Sequence, residues 1–192
     1  MLCFTDKKKG VIRYIKLDVQ TTSDHDHLYS EARILLRMPH PNIIRIRDVF
    51  KSKGEIGTTY EKIEGKTIKE RLSDGVKIGE KECIKIFVQM MLAFQMIHEN
   101  KVMHKNVRPE HFLLDDATGL LKTIGFSKLR EMIREESLGS IAPEDKATDK
   151  EYSPPECVDG RSYTRSADLW VCGLILFQMA SGGVFPYDQR AD

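Results

Sequence analysis

The sequence predicts an α+β fold in which strands dominate the first part of the chain and helices the rest. A stretch rich in β-forming residues lies at 11–17. A long amphipathic pattern runs from residue 80 to about 100, and a strongly apolar stretch follows at 169–180. Because strands and helices are segregated along the chain, an arrangement in two lobes is expected.

The composition indicates one globular domain covering residues 1–192. Of its residues, 41% are hydrophobic, which suffices for a core. Thirty basic and 29 acidic residues leave a net charge of +1, so we expect neither nucleic-acid nor membrane partners. The N-terminus lacks a signal-peptide core, and residues 169–180 are shorter than the roughly 20 residues of a membrane span.

Cysteine usage indicates a reducing compartment. The four cysteines are scattered and form no C-x-x-C pair, which favours free thiols over a disulfide or zinc framework. The prediction is therefore a soluble, cytoplasmic protein. The four are Cys3, Cys83, Cys157 and Cys172.

The first part begins with a predicted hairpin, because the turn at 8–10 precedes the strand at 11–17. A helix is predicted from Ser23, with Asp26 as a capping partner, and it ends at the sequence HPN of 40–42. Two further strands are expected at 43–50 and 56–63. The apolar positions of the helix are Leu28, Ala32, Leu35 and Leu36.

The second part contains two predicted helices separated by a hairpin and a loop. A turn at 115–119 joins two short apolar runs, and residues 130–151 are polar without periodicity, which indicates a long loop. Asp168 leads into the apolar helix. The first helix is defined by i, i+3, i+4 spacing at Ile84, Phe87, Val88, Met91, Leu92 and Gln95.

Seven segments, in the right order, resemble the motifs of protein kinases. The first four are RYIK at 13–16 for the strand with Lys16, the helix glutamate Glu31, the hinge at 60–63 with Tyr60 as gatekeeper, and the catalytic loop HKNVRPEH at 104–111. The others are TIG at 123–125 for D-F-G, YSPPE at 152–156 for A-P-E, and DLW at 168–170 for the central helix. Residues 9–18 and 40–43 most resemble NIMA-related serine/threonine kinases.

This resemblance implies a bilobal protein-kinase-like fold, with an N-lobe at about 1–63 and a partial C-lobe at 64–192. It also implies truncation at both ends. Met1 falls where the glycine-rich hairpin would be finishing, and the final C-lobe helices are missing. One flank of the helix at 169–180 should then be an open apolar patch. A buried spine is expected at Leu35, His104, Ile124 and Asp168.

The resemblance also places unsuitable residues at the catalytic positions. Asn106 stands where the catalytic aspartate should be, and an amide cannot accept the proton of a substrate hydroxyl. His111 and Thr123 replace the two metal ligands, although magnesium prefers carboxylate and carbonyl oxygens. Arg108 replaces the catalytic-loop lysine and keeps a cation there with different geometry. No metal site is predicted.

Two parts of a nucleotide site survive in the sequence. Lys16 and Glu31 form either a residual nucleotide-binding pair or a purely structural ion pair. Tyr14 lies two residues before Lys16 and therefore on the same strand face, towards the adenine position. Its ring either fills the pocket itself or stacks on a different ligand.

The resulting hypothesis is a pseudokinase that acts as a binding, scaffolding or regulatory module with little or no phosphotransfer. Its implied partners are proteins, such as an active kinase or the substrate of one, and no cofactor is expected. One alternative is a weak, atypical ATP- and magnesium-dependent serine/threonine kinase that uses Lys16 and Glu31. The other alternative is a non-functional truncated fragment.

Overall fold

The computed structural model describes residues 2–6, 10–16, 31–52, 55–73, 75–132, 150–158 and 163–187. The first part is a four-stranded antiparallel sheet in the order β1-β2-β4-β3. Its strands are β1 (Leu2–Asp6), β2 (Gly10–Lys16), β3 (Ile46–Ser52) and β4 (Glu55–Tyr60).

The hairpin predicted at the start of the chain is confirmed. Strands β1 and β2 pair antiparallel from Asp6 opposite Gly10 to Leu2 opposite Tyr14. Strand β2 also pairs with β4, so it lies inside the sheet. The last predicted strand, 56–63, is shorter than expected, since β4 ends at Tyr60.

Helix α1 covers residues 31–36 and belongs to the predicted helix, whose start at Ser23 lies outside the described residues. Its inner face buries Ala32 and Leu35 as the spacing predicts. The prediction is wrong for Leu36, whose surface is 60% exposed. The buried arc of α1 includes the neighbours Ile34 and Leu35, and Leu36 lies about 100° from Leu35 on the side away from Ile34, outside that arc.

The second part is built around two long helices, α3 (Glu80–Glu99) and α5 (Arg165–Ser181), close to their predicted bounds. The short helices are α2 (Ile68–Leu72) and α4 (Pro155–Val158). The Thr67 side chain caps α2 in a reciprocal box with Glu70, which explains why the chain turns into a helix there.

Two small sheets complete this part. Strands β5 (Gly65–Thr67), β7 (Phe112–Asp115) and β8 (Leu121–Thr123) form one antiparallel sheet, and β7–β8 is the predicted hairpin. Strand β6 (Val102–Met103) pairs with β9 (Arg130–Glu131). The predicted loop at 130–151 therefore begins with a short strand; its residues 133–149 lie outside the described ranges.

Helix α3 buries the face opposite to the apolar stripe seen in the sequence. Ile84, Val88 and Leu92 belong to that stripe, and each is exposed. The face that enters the core is instead formed by Cys83, Ile86, Met90, Ala93, Phe94 and Ile97. The helix thus has apolar side chains on two faces, of which the core uses one.

Helix α5 packs against α3 and ends at Gly182, whose left-handed φ of 81° lets its N–H reach the carbonyl of Gln178. Leu169 and Phe177 are each 43% exposed, in line with the predicted open flank. Within the described ranges, no helix is both long and apolar enough to cross a membrane.

Candidate active site

The floor of the candidate cleft is one face of the β7–β8 hairpin. Leu113 and Lys122 are directly opposed across the two strands and therefore share a face. Both are half-buried, whereas the residues that flank them in their strands are mostly buried in the core. An aliphatic chain and a lysine thus form the accessible part of this strand face.

The side chain of Lys122 extends from this floor to Glu61 of the hinge. Its Nζ atom lies 2.6 Å from Oε1 of Glu61, and only 14% of the lysine side chain is exposed. The same carboxylate oxygen accepts a hydrogen bond of 3.0 Å from the Arg45 amide. Sequence reasoning missed Lys122 as a residue of the cleft. Its place follows from the β7–β8 register, which puts it opposite Leu113.

The gatekeeper and the helix glutamate, both predicted site residues, are in contact. The Tyr60 hydroxyl donates a hydrogen bond of 2.9 Å to Oε1 of Glu31, and both residues are buried. Glu31 is therefore held by a phenol at the inner end of β4. The side chains of Lys16 and Tyr14 lie outside the described part of the structure. The Lys16–Glu31 pair and the filling of the pocket by Tyr14 remain predictions.

The catalytic loop is organised by a neutral His104. Its Nδ1 atom accepts a hydrogen bond from the Asn106 amide, and its Nε2 donates to the Ile124 carbonyl. These two contacts require the tautomer that carries its proton on Nε2. Complete burial lowers the pKa of His104 to about 4, because the charged form loses its hydration. His104 thus links two motifs without carrying charge.

Asp168, at the start of α5, binds the backbone of the catalytic loop. Its buried carboxylate accepts hydrogen bonds from the amides of His104 at 3.0 Å and Lys105 at 3.1 Å. The Tyr163 hydroxyl lies 2.7 Å from it, and His98 Nε2 lies 2.9 Å from it. Lys105 has a φ of 59°, a strained value that these contacts maintain. His104 and Asp168 are thus both buried and in contact, as the predicted spine requires.

His111, which the resemblance predicts at one of the two metal positions, makes a hydrogen bond back to its own loop. Its Nδ1 donates a hydrogen bond of 2.6 Å to the Asn106 carbonyl. The ring lies against Gly125, where an added Cβ would come within 2.4 Å of ring atoms. Gly125 also has a φ of 80°, so a residue with a side chain would be doubly disfavoured there. Burial lowers the pKa of His111, so the ring is neutral near pH 7.

Thr123, predicted at the other metal position, faces the protein interior. Its surface is fully buried, and its Oγ1 atom has no hydrogen-bond partner among the described residues. Its backbone is fixed on both sides, by the Asn42 carbonyl and the Ile44 amide. An orphaned hydroxyl and a neutral imidazole do not fit magnesium. The described residues also contain no cluster of three or more metal-binding side chains.

An aromatic residue that the sequence hypothesis missed packs on His104. The Phe126 ring centroid lies 4.9 Å from that of His104, and Phe126 is 1% exposed. Ile124, which was expected to fill the spine, is only half-buried and contacts His104 through its carbonyl. The spine prediction is therefore incomplete: Phe126 supplies the aromatic contact. The sequence carries no direct signal for this contact, because it depends on the left-handed turn at Gly125.

Arg108 faces the segment that carries the YSPPE motif. Its guanidinium carbon lies 6.0 Å from the ring centroid of Tyr152, and Nη1 lies 3.9 Å from the Glu110 carboxylate. These contacts favour a stacked arginine over a solvated cation. Asn106 is half-buried beside it in the loop. The structure thus brings Asn106, Arg108, His111 and Thr123 into one region, as the motif order predicts.

A catalytic loop anchored to a central helix, beneath a sheet with a buried helix glutamate, defines a protein-kinase-like domain. The family model described as protein kinase domain matches residues 1–192, and the chain belongs to this family.

The chain is 28% identical over 193 residues to human calcium/calmodulin-dependent protein kinase type IV, a match that covers 97% of this chain and 39% of that protein. It is 32% identical over 168 residues to CBL-interacting protein kinase 21 of Oryza sativa subsp. japonica. That match covers 86% of this chain and 31% of the relative. The chain thus spans less than half the length of these relatives. Similarity to NIMA-related kinases remains a prediction.

Proposed function

We propose that this domain is a pseudokinase: a kinase-like binding or scaffolding module with little or no phosphotransfer. The observation that carries the proposal is Thr123. The position that should present a carboxylate to magnesium instead carries a hydroxyl that is fully buried and without a partner among the described residues. Without a bridging metal, the charge of the transferring phosphoryl group is not neutralised.

Two further features of the loop support the proposal. Asn106 cannot serve as a general base, which accounts for roughly 10²–10⁴ in rate in enzymes that have one. The imidazole of His111 is held by the Asn106 carbonyl and lies on Gly125. The loop is therefore stabilised by contacts between the two replaced positions. Asp168, in contrast, is retained, and its carboxylate contacts two backbone amides of the loop and the side chains of Tyr163 and His98.

The cleft is also altered where an adenine would lie. Lys122 places a cation on the floor of the cleft, and this cation forms an ion pair with Glu61 of the hinge. If Tyr14 fills the same pocket from β2, its ring takes the space of an adenine. The domain would then act through its surfaces, with a protein such as an active kinase or its substrate as the partner.

Phosphotransfer is the direct test. The purified chain is incubated with labelled ATP and magnesium, alone and with a generic protein substrate. We expect no incorporation above that of the Lys16→Met variant. Incorporation that disappears in Lys16→Met would overturn the proposal and favour the weak serine/threonine kinase. A parallel thermal-shift titration should show no magnesium-dependent stabilisation by millimolar nucleotide.

A further inference from the structure

The outer face of α3 is an apolar surface that the core does not use. Ile84 is 54% exposed, Val88 50% and Leu92 44%, and they follow one another at steps of four residues. Half-buried Met91 packs against the core and does not belong to this surface. Single exposed aliphatic residues are ordinary, but three in line over two helical turns form a continuous patch. We call Ile84, Val88 and Leu92 the α3 stripe.

The neighbours of α3 lie on its other faces. Gln89 makes hydrogen bonds with the Gly119 carbonyl and the Leu121 amide, which fixes the β7–β8 hairpin to one flank. His98 makes the contact to Asp168 of α5. The buried face packs into the core. The α3 stripe is the remaining side, and it is open within the described part of the structure.

The charges that border the stripe are arranged in a self-complementary way. Lys81 and Glu99 are 18 residues apart, which is about five turns, so they lie on the same side of α3 at opposite ends. Both are exposed. Lys85 adds a second exposed cation near the N-terminal end, while Glu82 at that end is engaged by Arg71 at 2.7 Å. Glu80 is also exposed at the N-terminal end, so the complementarity rests on Lys81 and Glu99, and the Glu99 carboxylate also accepts a hydrogen bond of 2.9 Å from Gln95 of the same helix.

We infer that the α3 stripe is a self-association surface on which a second copy of this chain packs with its α3 antiparallel. In this arrangement Val88 of one copy meets Leu92 of the other, on both sides of a two-fold axis. Lys81 then lies across from Glu99 of the second copy, twice per dimer. A parallel arrangement would place Lys81 beside Lys81 and Glu99 beside Glu99, which is repulsive.

The interface is small, so the dimer is weak and depends on concentration. A helix of 20 residues is about 30 Å long, and a contact limited to two such helices buries less than the roughly 1,200 Å² of stable complexes. Association is therefore measured by sedimentation equilibrium of the full chain over a series that extends to submillimolar concentration. A wild-type mass that stays monomeric throughout overturns the inference.

Charge reversal identifies the arrangement. Lys81→Glu alone and Glu99→Lys alone each replace two attractions with two repulsions, and each should weaken association by about tenfold or more. The double variant Lys81→Glu/Glu99→Lys restores both pairs with exchanged signs and should return to wild-type association. Failure of the double variant to recover, with folding confirmed by circular dichroism, rejects the antiparallel pairing.

Matched controls separate this surface from other exposed apolar residues. Val88→Glu introduces a charge at the centre of the stripe and should abolish association. Leu36→Glu makes the same kind of change on α1, and Phe177→Glu makes it on α5; both should leave association unchanged. A dimer that survives Val88→Glu but not Phe177→Glu would assign self-association to α5 and refute the inference. The outcome is independent of whether the cleft transfers phosphate.

Discussion

The Tyr60 hydroxyl and the Glu31 carboxylate form a buried hydrogen bond of 2.9 Å between the last residue of β4 and the first described residue of α1. It joins the sheet to the helix at the back of the cleft. A carboxylate buried to this degree is costly unless donors satisfy it. Tyr60 therefore contributes to the position of α1 as well as to the cleft wall.

Removal of that hydroxyl should destabilise the domain. We expect Tyr60→Phe to lower the free energy of unfolding by about 1–2 kcal/mol, because Glu31 stays buried with one donor fewer. Urea denaturation measures the loss. Tyr187→Phe is the matched control, since the Tyr187 hydroxyl bonds to the Glu151 carbonyl at an exposed site and should matter much less. Equal losses in the two variants would contradict this view of Glu31.

Thr123 can be tested in two opposite directions. Thr123→Val keeps the shape and the β-branch while removing an orphaned hydroxyl, so we expect unchanged stability or a gain of about 1 kcal/mol. Thr123→Asp places a carboxylate in the same sealed position and should cost about 3 kcal/mol or more. Chemical denaturation of both variants gives the comparison.

The aspartate variant also tests whether the missing metal ligand can be restored. Because the side chain at 123 points into the core, Thr123→Asp should gain no magnesium-dependent thermal shift with nucleotide. A variant that is as stable as the wild-type protein and acquires such a shift would show that position 123 opens onto the cleft.

Much of the fold and of the site was predictable because motif order fixes topology. The β1–β2 and β7–β8 hairpins and the helix at 80–99 follow from short patterns with local causes, whereas the place of His104 against Asp168 was expected from the resemblance to protein kinases. Glycines, capping residues and alternating strands act over a few residues, so the sequence shows them directly. The same patterns located Asn106 and His111 in the catalytic loop.

The remaining features depend on packing that no local pattern contains. Helix α3 has apolar residues on two faces, and only contact with α5 and the β7–β8 hairpin determines that Met90 faces inward and Val88 outward. Lys122 became visible as a cleft residue only when the β7–β8 register placed it opposite Leu113. The role of Phe126 depends on the left-handed turn at Gly125, which redirects the chain towards His104.

The spine assignment leads to a third prediction, in which two neighbouring apolar residues are compared. Phe126→Ala should lower the free energy of unfolding by about 3–5 kcal/mol, since it removes a fully buried ring that packs on His104. Ile124→Ala should cost about 1–2 kcal/mol because Ile124 is only half-buried and its carbonyl contact is kept. Chemical denaturation measures both losses: if the two variants have the same m-value, their denaturation midpoints rank the two free energies of unfolding. The reverse order would assign the spine position to Ile124.

Acid should destabilise the domain through His104. Its pKa is about 4 in the folded protein and near 6.5 in the unfolded chain, so the unfolded state binds more protons between these values. The contribution of His104 is therefore complete above about pH 6.5 and is lost as the pH falls towards 4. Between about pH 7 and about pH 5 this amounts to about 2 kcal/mol.

The measurement is the free energy of unfolding across that pH interval for the wild-type chain and for His104→Gln. Glutamine does not titrate, so the variant should be less stable at neutral pH and should show a shallower decline towards acid. The lowered pKa of His111 acts in the same direction, and the double variant with His111→Gln should flatten the curve further. Parallel curves for wild-type and His104→Gln would show that His104 is not the buried neutral link between Asn106 and Ile124.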